Sequence, residues 1–148
     1  MIAIDTNLLV YAHRAHTPHH AAAKKAISAA ASDPRGWGFT LTNLVEFWSV
    51  VTHPAASGRP STPAEASSFL HALFRDGNAR LWLHPEGFVQ RLTRLAVHLK
   101  VSGPRIFDLT VALAAVEGGA HELWTHDAGF IAVPGLHLHF PLLKSSNT

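Results

Sequence analysis

The sequence predicts an α/β fold with a central, mostly parallel sheet. Short runs of apolar residues alternate along the chain with longer stretches in which apolar residues recur at helical spacing. This alternation is typical of βαβ units, whose right-handed crossovers produce parallel strands. Two of the predicted strands end on acidic residues, Asp5 and Asp127. Ligands in such folds bind beyond the carboxyl ends of the strands, so we expect the functional site there.

The first half of the chain contains two predicted strands and three predicted helices. "IAI" before Asp5 is short and fully apolar, as buried parallel strands are. Thr17 is the expected N-cap of the second helix and Pro18 its first residue. In order, the expected elements are a strand over 2–4, a short helix from Thr6, a helix over 16–31, a strand over 37–40 and a helix over 42–53, which Pro54 stops.

The second half of the chain adds three predicted helices and three predicted strands. Thr62, Pro63 and Glu65 form a capping box at the start of the first of these helices, and Gly77 lies at its far end. The expected elements are a helix over 61–78, a strand over 80–84, an amphipathic helix over 85–100, a largely apolar helix over 106–119, a strand over 122–127 and an edge strand over 136–140. A polar tail follows from Lys144 to Thr148.

The composition predicts a single globular domain over residues 1–143. Of the 148 residues, 47% are hydrophobic and 15% are charged, and a chain of this length buries a sizeable core. The absence of cysteine excludes disulfides and thiol chemistry and fits a cytoplasmic location. No signal peptide or membrane segment is expected, because charges interrupt every apolar stretch. The net charge of +2 permits an anionic partner such as nucleic acid.

Four acidic residues, Asp5, Glu46, Asp108 and Asp127, adjoin or interrupt apolar segments. A charge in such a place is costly unless it has a partner. If the sheet brings these residues together, four carboxylates share one pocket and repel each other unless a cation neutralises them. Ligand sets made only of oxygen suit Mg²⁺ or Mn²⁺. The four acids are therefore candidate metal ligands and catalytic residues.

Each acid also has a purely structural interpretation. Asp5 can cap the helix that follows it, and Asn43-x-x-Glu46 fits a capping box. Asp108 suits the positive end of its helix, and Asp127 can begin a turn with Gly129. Taken together, four acids at strand ends and helix starts of one inferred sheet favour a shared site.

Three segments carry a resemblance to a known family. They are "IDTNLLVYA" at the start, "LTNLVEFWSVVTHP" in the middle and "DLTVALAAVEGGAHELWTHDAGF" with the later "VPGLHLHFPL". In this order and at this spacing, the segments resemble PIN-domain ribonucleases and, more narrowly, the VapC toxins of bacterial toxin–antitoxin pairs.

The resemblance implies a three-layer α/β/α fold and an endoribonuclease that depends on Mg²⁺ or Mn²⁺. It maps metal-binding carboxylates onto the four acids and supporting polar residues onto Asn7 and Thr125. Many relatives carry a further acid two residues after the last one, where this chain has Gly129. The resemblance also implies cleavage of tRNA or rRNA loops by metal-activated water, a homodimer, and a VapB-like antitoxin whose tail blocks the acidic pocket.

Three further sets of residues are weaker candidates. Arg105, three residues before Asp108, is a candidate RNA-binding residue, because phosphate contacts supply much of the affinity for nucleic acid. Trp48, Trp82 and Trp124 lie in apolar elements and are expected in the core, whereas Trp37 between two glycines is open to base stacking. Four histidines lie close together in the sequence and are candidate metal ligands, although they are divided by the break between two helices: His13, His16, His19 and His20.

Three other functions are alternatives to a nuclease. A haloacid-dehalogenase-type phosphatase needs a second Asp where this chain has Asn7. A response-regulator receiver domain needs adjacent acids after its first strand, and here Thr6 follows Asp5. A catalytically inactive PIN-fold module that binds RNA or protein is the remaining alternative, and metal-dependent turnover separates it from an enzyme.

Overall fold

The central sheet has five parallel strands. A computed structural model of the chain describes residues 1–144. The strands are β1 (Ile2–Ile4), β2 (Trp37–Thr40), β3 (Arg80–Trp82), β4 (Glu122–Trp124) and β5 (His137–His139). Their order across the sheet is β3-β2-β1-β4-β5, and every neighbouring pair is parallel. The α/β class and the parallel sheet are confirmed, including the edge position of the last strand.

Six helices connect the strands within the described residues. They are α1 (Thr6–His13), α2 (His20–Ala31), α3 (Leu41–Val51), α4 (Pro63–Arg75), α5 (Phe88–His98) and α6 (Arg105–Glu117). α4 begins as predicted: Thr62 accepts from the Glu65 amide, and the Glu65 side chain accepts from the Thr62 amide.

The sheet separates two hydrophobic clusters, which makes the fold three-layered. Ile2 and Ile4 belong to the cluster that α1, α2, α3 and α4 cover, whereas Ala3 between them belongs to the cluster under α5 and α6. This alternation follows from the two-residue period of a strand. Both clusters contain side chains without any solvent exposure, such as Phe39 and Leu123.

The direction in which successive strands are added to the sheet reverses at β1. The first crossovers lead from β1 to β2 and then to β3 on one side, and the connection through α5 and α6 returns to β4 on the other side. β1 therefore lies between β2 and β4 at the point where the strand order switches. Open α/β sheets bind ligands at the carboxyl ends of the strands at such a point.

Several predicted boundaries are wrong. α2 begins at His20 rather than after Thr17, because the Thr17 hydroxyl donates to the Arg14 carbonyl oxygen and Thr17 belongs to the preceding turn. α3 begins at Leu41, one residue early, with Thr40 as its N-cap. β4 ends at Trp124, so Asp127 lies in the loop beyond the strand. Of the predicted polar tail, residues 145–148 lie outside the described part of the chain.

The tryptophans mainly serve packing. Trp37 is 2% exposed and donates its ring N–H to the Gly77 carbonyl oxygen at 2.7 Å, so the idea that it stacks on bases is wrong. Trp82 is also in the core, and Trp48 and Trp124 pack against the cluster that contains Ile2. No helix in residues 1–144 is long and apolar enough to cross a membrane.

Candidate functional site

The first carboxylate of the site stands directly behind β1. Asp5 is only 7% exposed and adopts an extended backbone that caps α1. Its Oδ1 accepts from the Thr6 amide at 2.8 Å. The strand is buried because it is apolar, and it places this carboxylate at the carboxyl edge of the sheet. The capping role and the site role therefore coexist in one residue.

Thr125 links Asp5 to the loop after β4. Its hydroxyl donates to Asp5 Oδ2 at 2.7 Å and accepts from Asn7 Nδ2 at 3.2 Å and from the Asp127 amide at 3.0 Å. Asn7 in turn accepts from the His126 amide at 3.1 Å. The structure thus brings together the two supporting polar residues and both strand-end acids. The buried hydroxyl has all its hydrogen bonds, which fixes the relative position of these groups.

A second network joins Asp5 to α3 and contains residues that the sequence analysis missed. The Thr6 hydroxyl donates to Glu46 Oε2 at 2.7 Å. The buried Asn43 amide donates to Thr6 Oγ1 at 3.0 Å and to Asp5 Oδ1 at 3.3 Å. Thr6 and Asn43 therefore orient two of the predicted carboxylates.

The capping box predicted for Asn43 and Glu46 is wrong. Thr40 is the N-cap of α3, and Asn43 is its reciprocal partner: Thr40 Oγ1 accepts from the Asn43 amide, and Asn43 Oδ1 accepts from the Thr40 amide. The signal was present in the sequence as Thr40-x-x-Asn43, three residues earlier. Glu46 therefore does not cap α3, and its Oε2 accepts a hydrogen bond from the Thr6 hydroxyl instead.

The remaining two acids come from α6 and from the loop after β4. Asp108 lies in the first turn of α6, as expected. Asp127 Oδ1 accepts from the Gly129 amide at 2.8 Å, so the predicted turn is present. A side chain at Gly129 would begin 3.3 Å from that same carboxylate oxygen.

The carboxylates influence one another electrostatically. Burial, together with the charges of Glu46 and Asp108, raises the pKa of Asp5 to about 6, against hydrogen bonds from Thr125 and Thr6 that lower it. The pKa of Asp108 is raised as well, first by burial and then by the charges of Asp127 and Glu46. All four predicted acids therefore lie within one electrostatic neighbourhood, where a cation would relieve their repulsion.

The donor chemistry of this neighbourhood fits a hydrated divalent cation. Among residues 1–144, no group of three or more His, Asp or Glu side chains stands close enough to hold a metal ion by itself. Mg²⁺ retains several water ligands and usually takes only one or two carboxylates directly. Four carboxylates offer only oxygen ligands, which suit that mode of binding.

Arg105 and the clustered histidines have different surroundings. Arg105 is the first residue of α6, and its charge opposes the rise in the pKa of Asp108, so it lies near the acids. The histidines have separate partners and do not converge: His13 bonds to Ser61, His20 to the Tyr11 carbonyl, and His19 packs on the rings of Tyr11 and His126, while His16 lies against Gly58.

Comparisons with known proteins identify the family of the chain. The family model for the PIN domain matches residues 2–136. The chain is 32% identical over 143 residues to "VapC ribonuclease Mb2897" of Mycobacterium bovis and to "Ribonuclease VapC43" of Mycobacterium tuberculosis, covering 96% of each chain. It is 25% identical over 138 residues to "Ribonuclease VapC48" of M. tuberculosis, covering 93% of this chain and 94% of the relative.

Two solved structures share the fold. The crystal structure of M. tuberculosis VapC20, described as a sarcin-ricin loop cleaving toxin, has a TM-score of 0.63 at 18% identity and covers 88% of this chain and 92% of its own. VapBC2 from Rickettsia felis, bound to a DNA fragment from its promoter, has a TM-score of 0.64 at 19% identity and covers 94% and 98%. Together with the curated relatives, these matches show that the chain belongs to the PIN-domain family and, within it, to the VapC ribonucleases.

Proposed function

We propose that this chain is a toxin endoribonuclease that depends on Mg²⁺ or Mn²⁺ and uses Asp5, Glu46, Asp108 and Asp127. The observation that carries the proposal is the position of Asp5, a buried carboxylate whose pKa is raised and whose nearest charged neighbours include two further acids. Proteins seldom bury like charges together without a counterion. The membership in the VapC ribonucleases supports the same reaction.

The carboxylates of Asp5, Glu46, Asp108 and Asp127 would hold the metal. A bound divalent cation supplies an activated water and stabilises the charge that develops on a phosphodiester. Thr125 and Asn43 orient the Asp5 carboxylate by hydrogen bonds, so that both of its oxygens have fixed directions. Thr6 does the same for Glu46.

The substrate we propose is single-stranded or loop RNA, with tRNA and rRNA loops as the candidate targets. Proteins that recognise RNA specifically reach unpaired bases in loops more easily than bases in a duplex. Arg105 beside Asp108 is the residue we expect to contact a phosphate of the RNA. We expect a 3′-hydroxyl and a 5′-phosphate at the cut, because hydrolysis by water does not need the ribose 2′-hydroxyl.

We further propose a VapB-like antitoxin, a homodimeric toxin and a cytoplasmic location. The antitoxin is supported by the similarity to the VapBC2 toxin–antitoxin structure and to the curated VapC relatives. Its basic or apolar tail would cover the acids at the carboxyl edge of the sheet. Light scattering of the purified toxin, alone and with its antitoxin, measures both assemblies.

The experiment that tests the activity compares cleavage of purified total RNA by wild type and by Asp108→Asn, with Mg²⁺ or with EDTA. We expect cleavage by the wild type with Mg²⁺ and none in the other three reactions. Asp108→Asn removes a charge with almost no change in shape. Equal cleavage by both proteins would place the active site elsewhere, and no cleavage by either folded protein would favour the inactive RNA- or protein-binding module.

A further inference from the structure

A second polar cavity lies where α1 ends, away from the carboxyl edge of the sheet. It has a volume of about 300 Å³ and lies between the end of α1 and the segment that leads into α4. We call it the basic pocket, and its polar lining residues are His13, Arg14, His16, Arg59, Ser61 and Glu65. None of these residues contributes to the proposed nuclease site.

Arg14 is the central residue of the basic pocket. It is only 8% exposed, yet among the described residues its guanidinium forms no salt bridge. Its hydrogen-bond acceptors are neutral: the Ser61 hydroxyl at 3.2 Å and the Ser57 carbonyl oxygen. Charged side chains that are buried in proteins are usually paired. This guanidinium therefore keeps a positive charge that nothing in its immediate surroundings neutralises.

The other charged groups of the basic pocket do not cancel that charge. Arg59 and Glu65 neutralise each other through two hydrogen bonds of 3.1 and 3.0 Å. Burial and the Arg14 charge lower the pKa of His13, against the opposing charge of Glu65, so the neutral imidazole is favoured. The carbonyl groups at the end of α1 supply only a partial negative charge. The pocket thus carries a net positive charge that comes from Arg14.

Donor groups of Arg14 remain free to meet a ligand. A guanidinium has five N–H groups, and two acceptors engage this one. Its Nε forms no hydrogen bond with another residue in 1–144, and Nε is not among the fully buried side-chain atoms of these residues that lack a partner. A hydrogen-bond donor without a charge could hold Ser57 and Ser61 in place. A purely structural role of Arg14 therefore does not explain why its side chain is charged.

The neighbouring loop passes close to a further hydrogen-bond donor, the ring of His16. Gly58 has a φ of +74°, and a Cβ at this position would lie 3.2 Å from Cε1 of the His16 ring. The loop can therefore pass close to His16 only because residue 58 has no side chain. As a result the His16 imidazole stands at the wall of the pocket, together with Arg14 and Arg59.

We propose that the basic pocket binds a phosphate group, with Arg14 as the main ligand and His16 and Arg59 as additional donors. Arginine suits tetrahedral oxyanions because its planar fork presents parallel N–H groups. The phosphate comes either from inorganic phosphate in solution or from the backbone of a nucleic acid. This proposal does not rest on the nuclease activity, since the pocket and the four acids use different residues.

The test follows the Arg14 Nε–H resonance of the ¹⁵N-labelled protein by NMR. Sodium phosphate is added in one titration and sodium chloride in a control titration, both at the same ionic strength and with EDTA present. We expect a saturable shift with phosphate and none with chloride. Arg14→Gln weakens phosphate binding at least about tenfold in calorimetry, because hydrogen bonds to a charged group are lost. Arg75→Gln, which removes an exposed charge paired with Asp76, leaves binding unchanged.

A second titration identifies the source of the phosphate. A single-stranded ten-nucleotide RNA replaces the salt, still with EDTA. A shift at Arg14 with RNA at micromolar concentration, where inorganic phosphate has no effect, assigns the pocket to the nucleic-acid backbone. A response to inorganic phosphate alone assigns it to the free ion.

Absence of any shift at Arg14 with both ligands overturns the proposal, and so does equal binding by Arg14→Gln. If Arg14→Gln does not fold, the wild-type titration still decides, and His16→Ala is the second variant. It lies at the pocket wall and is expected to weaken binding severalfold. The outcome is separate from RNA cleavage, because no metal is present.

Discussion

The two ends of helix α1 carry opposite charges that are held in different ways. At its start, burial and, to a smaller extent, neighbouring acids raise the pKa of Asp5. At its end, Arg14 is buried with neutral hydrogen-bond acceptors. The eight residues of α1 span about 12 Å. Each charge lies at the end of the helix that the helix dipole favours, yet neither forms a salt bridge with another described residue.

The difference shows two ways in which a fold can hold a charge that has no ion-pair partner within the protein. At the acidic end, side chains from α1, α3 and the loop after β4 fix like charges near each other through hydrogen bonds. At the basic end, one guanidinium holds the loop between α3 and α4. Repulsion makes the first arrangement costly to the fold, whereas hydrogen bonding makes the second one favourable. Removing charge should therefore affect the two ends with opposite sign.

The largest expected effect is on the rate of cleavage when one charge at the acidic end is removed. Glu46→Gln keeps an oxygen that can accept from Thr6 but loses the negative charge. We expect the rate of RNA cleavage to fall at least about 100-fold with the fold retained. The matched control is Glu86→Gln, an exposed residue, which should cleave like the wild type. A Glu46→Gln rate within about threefold of the wild type would remove Glu46 from the site.

The next largest effect concerns the hydrogen bonds that orient the acids. Thr125→Val removes the hydroxyl that joins Asp5, Asn7 and the Asp127 amide and leaves polar groups without partners. We expect activity to fall about 10–100-fold and the free energy of unfolding to fall by about 1–3 kcal/mol. Thr125→Ser retains the hydroxyl and should recover most of both. Equal losses in the two variants would mean that the methyl group matters as much as the hydroxyl.

These residues also show what the sequence could and could not predict. Asp5 was predictable because a buried strand has a clear apolar pattern and an acid follows it at once. The resemblance and the apolar residues around them identified Asp108 and Glu46 as candidates, and this assignment stays a prediction. The roles of Thr6 and Asn43 were not, since they depend on hydrogen bonds between residues 37 to 40 positions apart.

The wrong boundaries have a similar physical origin. Thr17-Pro18 has the composition of a helix start, but the Thr17 hydroxyl bonds backwards to Arg14 and holds a turn. Thr40 and Asn43 form a capping box that competes with the one predicted three residues later. In both places two local patterns overlap, and tertiary contacts decide between them. Arg14 gave no signal in the sequence, because its burial depends on the loop that folds over it.

A smaller effect is the opposite change in stability at the two ends of α1. In EDTA, Asp108→Asn should melt at a higher temperature than the wild type, because burial and two neighbouring acids disfavour its charge. Arg14→Gln should melt several degrees lower, because the shorter side chain cannot keep the hydrogen bonds to both Ser57 and Ser61. Differential scanning calorimetry measures both. Shifts of the same sign in the two variants would contradict the contrast between the two ends.

The smallest expected effect is the stabilisation of the wild type by Mg²⁺ and its dependence on pH. At a concentration of about ten times the dissociation constant, Mg²⁺ should add about 1.4 kcal/mol, or about 3–6 °C in melting temperature. Asp108→Asn should show much less of this gain.

The pH dependence follows from Asp5, whose pKa is raised from 3.8 to about 6 in the metal-free protein. Ionisation of this group is harder in the folded state, so it lowers stability progressively as the pH rises from about 4 to about 6. Mg²⁺ requires the ionised carboxylate, so protons compete with the metal below about pH 6. The Mg²⁺-induced rise in melting temperature should therefore be small at pH 5 and near its full value at pH 7.5. A rise of equal size at both pH values would show that Asp5 does not take part in binding the ion.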